Sequence, residues 1–573
     1  MKQYIFIIIG TVLLLFASCN KILEEQPRAV LTPDLFKTPD GLRSGLTAAY
    51  NGLRYITGTE GTMAATEMGT DEFTAAASAG SKELDMTLSN GGSGINAATG
   101  GVNLWWTYNF ASINTCNGII EFGTAAGLSD ALIAEAYFLR AYYYFHLVQM
   151  YGGVPLNLGS GDLKFNTTPT NLSKRNTQEE VYTAVIADMK KAVANLPIAA
   201  RLPGCAFRAT AIHYLAKIYL THGDFQLALT EAEKILNPAT PYTANSTYGG
   251  ALLAKYSDVI KPTNERNAEI LFTCEHTETY AYNETAAGFG SGAANKDDRS
   301  CSYFVPNYQN FNLGRAGDAG FLSRTVAYSR PWIRYRATFG LLANIFADKT
   351  NDSRFNASFQ TVWLNNNTSG TTPNGLLNTP IRIGDTAFVM LPYEVSAAYR
   401  ATKNYRIWTP SQLDRNLFPA LTKFFDPNRA DMNDASGRPF LLAKLSETYL
   451  IAAEAAVNLS QNDKAYQYVN ILRTRAATTG NSAVMVAATP ATITIDYILD
   501  ERSRELCGEQ MRWFDLKRTK KWRTRSTTYS LNGIDSYTRD IKSHYDVRPI
   551  PQAQINLMGN SAAEKAEYQN PVY

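Results

Sequence analysis

Cysteine, histidine and net charge are all scarce in this chain, and each scarcity closes off a class of protein. Six cysteines and five histidines in 573 residues, with no Cys-x-x-Cys pair and no His-Glu-x-x-His, leave no zinc pattern. Apart from Cys19, the cysteines are Cys116, Cys205, Cys274, Cys301 and Cys507. Their odd number and wide spacing speak against a disulfide framework and for small apolar core residues. The 54 basic and 51 acidic side chains nearly cancel, leaving a formal net charge of +3. No basic block is interleaved with aromatics, so a nucleic-acid partner is not expected. Apolar runs are short as well. Ile5 to Phe16 falls below the roughly 20 residues that a bilayer span requires, and no later run matches it.

What the N-terminus does carry is an export signal. Met1-Lys2 is basic, the apolar run follows, and Ala17-Ser18 places small residues before Cys19, the three regions of a cleavable peptide. A cysteine directly after Phe16-Ala17-Ser18 resembles the bacterial lipobox, with Phe16 where Leu is usual. The expectation is a signal peptide over residues 1–18, Cys19 acylated as the first mature residue, and a polar tether to residue 33 bearing Pro27 and Pro33. Several acyl chains, at about 0.8 kcal/mol per buried methylene, make a lasting anchor.

Helical periodicity then dominates two stretches. Leu42, Leu46, Ala49 and Leu53 mark one face of a first helix. Over residues 129–150, Leu132, Ala136, Leu139, Tyr143 and Leu147 form one stripe and Phe138, Tyr142 and Phe145 a second, so this helix needs neighbours on both sides. Tyr142, Tyr143 and Tyr144 therefore read as core. Thr177 and Glu180 are spaced as a capping box. Ala216 and Ala228 stand twelve residues apart across a Gly223-Asp224 turn, the layout of a tetratricopeptide hairpin, and Ala453 and Ala465 repeat that spacing. The fold class expected is mainly α: a tetratricopeptide-like superhelix of hairpins, with helices over about 40–238 and 440–520. Long irregular insertions of loops and short strands, residues 57–101 and about 240–440, would form a ligand face. Residues 34–573 are read as one domain.

Several segments together resemble the SusD/RagB family of outer-membrane nutrient-binding lipoproteins. They are residues 46–54 (LTAAYNGLR), 106–119 (WTYNFASINTCNGI), 135–156 (EAYFLRAYYYFHLVQMYGGVPL), 175–197, 352–354 (DSR), 445–455 (LSETYLIAAEA), 470–476 (NILRTRA), 501–517 (ERSRELCGEQMRWFDLK), 548–551 and 569–571. The chain departs from the family at Val572, where Gly is usual, and at Ser446. The resemblance implies a non-catalytic lipoprotein on the cell surface, anchored in the outer membrane. It would capture oligosaccharide or polysaccharide and deliver it to a SusC-like TonB-dependent transporter, with no cofactor and no metal. Peptide is the alternative ligand, and a surface glycoside hydrolase a further alternative, since carboxylates are plentiful and a suitably spaced pair would suffice.

A sugar binder needs aromatic faces for C–H patches and planar polar groups for hydroxyls. Trp332 and Tyr335, with Arg330, Arg334 and Arg336 interleaved, lie in the insertion. Tyr280, Tyr282 and Phe289 add aromatics there. Trp105 is the better candidate for exposure in the Trp105-Trp106 pair, and Asp71-Glu72 is an acidic pair that accepts hydroxyls if it is exposed. The ligand set expected is Asp71, Glu72, Trp105, Arg330, Trp332 and Tyr335, each of which has an ordinary packing role as the competing reading. Arg502, Arg504, Arg512 and Arg518, mixed with Glu501, Glu505 and Asp515, read as buried pairing more than as an anion site.

Overall fold

A computed structural model describes residues 33–86, 94–156, 163–166, 171–277, 297–310, 321–367 and 374–573. The signal peptide, Cys19, most of the tether, and Tyr280, Tyr282 and Phe289 lie outside the described residues.

Ten helices carry the frame: α1 (Pro39–Asn51), α2 (Val102–Phe122), α3 (Asp130–Tyr151), α4 (Gln178–Asn195), α5 (Arg208–His222), α6 (Phe225–Ile235), α7 (Leu445–Asn458), α8 (Asn462–Ala476), α9 (Ile495–Leu506) and α10 (Arg512–Arg518). From α2 to α8 each packs on its predecessor. The central helix α3 begins where the Ser129 hydroxyl accepts from the Leu132 amide and ends at Gly152, whose φ of +74° reverses the chain. Its Tyr142, Tyr143 and Tyr144 are all buried, as two apolar stripes require. The Thr177 capping box closes in both directions at the start of α4, with Glu180 N–H donating to Thr177 Oγ1 and Thr177 N–H to Glu180 Oε2.

Helices α5 and α6 form the first hairpin, joined at Gly223, where a φ of +104° suits only glycine. Helices α7 and α8 form the second. The two are adjacent in space despite the insertion between them. Helix α7 lies against α6 and α5, His213 Nδ1 sits 2.8 Å from Thr448 Oγ1, and Tyr214 donates to the Leu442 carbonyl at 3.1 Å. Ala216, Ala228, Ala453 and Ala465 have no exposed surface; they are the small residues that let the helices approach. Ala453→Leu is accordingly expected to cost roughly 1–3 kcal/mol through overpacking, read as a lower urea midpoint. An unchanged midpoint would show that the helices are not in close contact there.

Short strands organise the rest. The insertion leaves the frame along β2 (Ile270–Cys274) and returns along β7 (Phe440–Lys444), paired antiparallel with Ile270 opposite Lys444 and Cys274 opposite Phe440. Within it, β4 (Val362–Leu364), β5 (Thr386–Met390) and β6 (Arg406–Trp408) form a small sheet, β4 antiparallel and β6 parallel to β5. Its inner face joins a second hydrophobic cluster through Trp363, Phe388 and Met390. Strands β1 (Phe73–Ala75) and β3 (Tyr335–Ala337) pair antiparallel, which brings the two irregular stretches of the sequence together.

Candidate functional site

The junction of β1 and β3 builds an aromatic cluster that contains several of the sequence candidates and whose Trp332 reaches the surface. Beyond the paired residues the two backbones stay bonded, with Ala76 N–H donating to the Arg334 carbonyl at 2.9 Å and, after a one-residue shift of register, Ser78 N–H to the Ile333 carbonyl at 3.0 Å. Ile333 is β-branched and sits at φ +56°, a left-handed conformation that costs about 1–2 kcal/mol. Its side chain is held in a small buried cluster with Ala76 and Phe418, and Trp332 and Arg334 flank it.

Trp332 is half-buried and lies between three guanidinium groups, with Arg334, Arg299 and Arg330 at 5.3, 5.4 and 5.8 Å from its ring centroid. Each arginine is held from outside. Arg330 donates to Asn433 Oδ1 at 2.8 Å, and Arg299 donates to the Asn433 carbonyl and pairs with Asp297 at 3.2 Å. Arg334 pairs with Glu60 at 2.8 Å and donates to the Ser78 carbonyl. Glu60 also accepts from the Gly80 amide at 3.2 Å, tying the start of its helix to the loop after β1. Asn433 is fixed in turn by Asp431, whose carboxylate accepts the Asn433 amide at 2.8 Å and is held below its ordinary range by that bond. Donors, an amide and an ion-paired carboxylate thus ring an indole at the surface, the groups that hydrogen-bond hydroxyls around a C–H face.

Tyr335 has no exposed surface. It supports the cluster from beneath, packed on Tyr303 and Phe304 with centroids 5.8 and 5.3 Å away, and its hydroxyl donates to the Glu60 carbonyl. Burial pushes its phenol well above the usual range. Tyr303 also touches Trp332, at 5.6 Å, so the platform stands on an aromatic stack.

The expectation that Trp105 is the exposed member of its pair is corrected. It is 2% exposed and Trp106 5%, because α2 packs against α1 on one side and α3 on another and leaves neither indole a free direction. Trp105 stacks on His146 at 5.1 Å with Phe514 at its edge, and burial drives the His146 pKa down to about 3, leaving the ring neutral.

Asp71 and Glu72 are corrected likewise. Both are buried, which was neither the exposed ligand pair nor the solvated surface that their sequence suggests. Asp71 is gripped by Arg512 through both oxygens, at 2.7 and 2.6 Å, and by Arg525 at 2.7 Å. Burial by itself would raise its pKa; the two guanidiniums overturn that and hold it at about 2. Glu72 is held more loosely, with Arg512 3.4 Å away. Burial raises it to about 7, with the charge of Asp71 adding to the rise against Arg512.

The C-terminal arginines pair as expected. Arg502 bridges Asp515 at 2.7 Å and Glu447 at 2.9 Å, Arg504 pairs with Glu501 at 2.8 Å, and Arg518 with Asp515 at 2.9 Å and with Glu454. Carboxylates already fill these forks, so no anion site remains there.

Two clefts open elsewhere. One of about 800 Å³ lies between residues 339–350, 391–394 and 532–534, and one of about 460 Å³ is lined by Asp71, Asn344, Arg525 and Tyr529. Among the described residues no group of three His, Cys, Asp or Glu side chains is placed to hold a metal, and no helix is long and apolar enough to cross a membrane. Arg299, Glu60 and Asn433 were not among the sequence candidates. Nothing local marks them, since each belongs to a different segment and meets Trp332 only through the fold.

Comparison with known proteins agrees with this frame. A family model described as the SusD family matches residues 343–573, and one described as starch-binding associating with outer membrane matches residues 43–220. SusD-like protein P2 of Formosa agariphila is 25% identical, with 98% of this chain and 99% of that protein aligned. A SusD-like protein of Bacteroides ovatus is 28% identical over 179 residues, 30% of this chain and 32% of that protein. Among solved structures, a laminarin-binding SusD-like protein superposes with a TM-score of 0.63 at 20% identity, over 94% of this chain and all of that one. Surface glycan-binding protein A from Bacteroides fluxus gives 0.64 at 17%, with the same coverage.

Proposed function

The chain belongs to the SusD/RagB family, and from that premise we propose that it captures oligosaccharide at the cell surface without cleaving it and hands it to a SusC-like TonB-dependent transporter. Acylation of Cys19 would hold it on the outer membrane beside that partner. The observation that carries the reading is Trp332, half-exposed among Arg299, Arg330 and Arg334 with Glu60 and Asn433 at the rim. An indole supplies the flat apolar face that a sugar ring covers, and the surrounding donors and acceptors replace the water of its hydroxyls. The frame beneath is rigid, since Tyr335, Tyr303 and the β1–β3 pairing hold the platform in place. Relatives described as binding laminarin or surface glycan support sugar over peptide.

The test uses protein lacking residues 1–19 in calorimetry and affinity electrophoresis against a panel of soluble glycans and peptides. At least one glycan is expected to bind without release of reducing ends, and Trp332→Ala to weaken it by about 2 kcal/mol, roughly thirtyfold. Binding confined to peptides would replace sugar with peptide as the ligand. Release of reducing ends would make the protein a hydrolase.

A further inference from the structure

The cleft of about 800 Å³ lies apart from Trp332, and nothing described so far uses it. Its volume falls within the 300–1,000 Å³ typical of small-molecule sites. One wall is the segment Gly340–Ile345, a π-helical turn, a rare geometry that recurs at functional sites. Ala343 of this turn and the preceding Phe339 face the cleft, and Tyr393 and Ile534 stand on the other walls, 54% and 71% exposed.

The charge in the cleft is the telling feature. The Lys349 side chain reaches into it across the Phe355 ring, with Nζ 4.9 Å from the centroid, and donates to the Phe346 carbonyl. Among the described residues it forms no direct ion pair, and the carboxylate whose charge acts on it is that of Asp348. Its neighbour Asp348 is committed to Asn351, accepting from its amide at 2.8 Å and from its side chain at 3.0 and 3.1 Å. Among the described residues that line the cleft the one carboxylate is Glu394, which pairs with Arg400 at 3.2 Å and accepts the Ser411 amide at 2.8 Å. A half-buried ammonium thus lines the cavity with no direct ion pair among the described residues, and burial lowers its pKa to about 8 against the more distant charge of Asp348. The lining also includes the aromatic residues Phe339, Phe355 and Tyr393 and the polar residues Thr350, Asn356 and Ser411.

We propose that this cleft is a second ligand site, independent of Trp332, which takes a hexuronate residue of an acidic oligosaccharide. Lys349 pairs with the sugar carboxylate, Phe339 and Tyr393 cover its C–H faces, and the hydroxyl and amide groups meet its hydroxyls. A carboxylate placed there supplies the direct ion pair that Lys349 lacks among the described residues.

Calorimetry on protein lacking residues 1–19 tests this with trigalacturonic acid and, as the neutral probe, maltotriose. Trigalacturonic acid is expected to bind at least about tenfold more tightly than maltotriose at pH 7, and Lys349→Met to remove that advantage. Lys349→Arg keeps the charge and should retain most of the affinity, and Trp332→Ala should leave it unchanged. Should Lys349→Met fold poorly, Tyr393→Ala alters only the exposed rim and is expected to weaken the uronate severalfold. Equal binding of the two sugars, full affinity in Lys349→Met, or displacement of the sugar by a glutamate-rich peptide overturns the proposal. Loss of uronate binding in Trp332→Ala alone would do so too, while leaving the Trp332 reading intact.

Discussion

Arg354→Ala is expected to destabilise the protein by about 3–5 kcal/mol, the cost of stripping one partner from a buried ion network. Arg354 has no exposed surface. Its guanidinium reaches Asp352 at 2.7 Å, Glu501 at 2.8 Å and Glu505 at 3.2 Å. Glu505 also pairs with Arg475, which reaches Glu269 at 3.0 Å, and beside it Lys423 and Lys444 share Glu509 at 2.6 and 2.7 Å. Without Arg354, Glu501 and Glu505 remain in the interior with less positive charge to hold them ionised. The penalty reflects that uncompensated charge more than any net value of the intact network, because desolvation opposes every buried pair. The network also joins parts distant in sequence: Arg354 belongs to the insertion, Arg475 to α8, and Glu501 and Glu505 to α9. Urea unfolding of wild type and variant measures the difference. A loss under about 1 kcal/mol would mean that water enters the site and the network is not sealed.

Acid should unfold the chain through the same groups. Burial raises the carboxyls of Glu501 and Glu505, but Arg354, Arg475 and their neighbours overcome it and hold each at about 2, as Arg512 and Arg525 hold Asp71. Their ordinary values are 4.5 for the two glutamates and 3.8 for the aspartate. A carboxylate lowered on folding stabilises the native state above its unfolded pKa, and that stability drains away as pH falls through the folded value. The loss therefore runs from about pH 4.5 to about pH 2. Each group contributes on the order of 2–3.5 kcal/mol, together a large part of an ordinary folding free energy. Glu72 works in the opposite direction. Raised from 4.5 to about 7, it favours the protonated native state, and stability declines as pH climbs through that interval. Wild type is thus expected to be most stable near about pH 5. Glu72→Gln should gain stability at pH 8 and differ little at pH 4. Urea midpoints at pH 8, 5 and 3 trace the curve, and a midpoint at pH 3 equal to that at pH 5 would refute it.

The helical frame was legible because its signals are local. The Thr177–Glu180 cap, the double stripe of α3 and the alanine pairs at 216/228 and 453/465 are each written within a dozen or so residues, and each forms the element expected. The mixed Arg and Glu of residues 501–518 also announced their pairing, since several partners lie three residues apart, as in Arg504–Glu501 and Arg518–Asp515. Asp71 failed for the opposite reason. Its partner Arg512 is 441 residues away, and no window of sequence connects the two. Trp105 was misjudged because helical periodicity tells which residues share a face but not how many faces are covered. Trp332 was reached from composition alone. Its neighbours Glu60 and Asn433 became visible only once β1 met β3.

The pairing of β2 with β7 has a consequence for how such proteins diversify. Both ends of the insertion are clamped side by side on the helical frame, so the intervening chain is a closed excursion whose span is set by the frame. Doubling the length of such an excursion adds only about 0.6 kcal/mol of closure entropy. New recognition surfaces can therefore be traded in and out between these two strands while the helical scaffold keeps its shape.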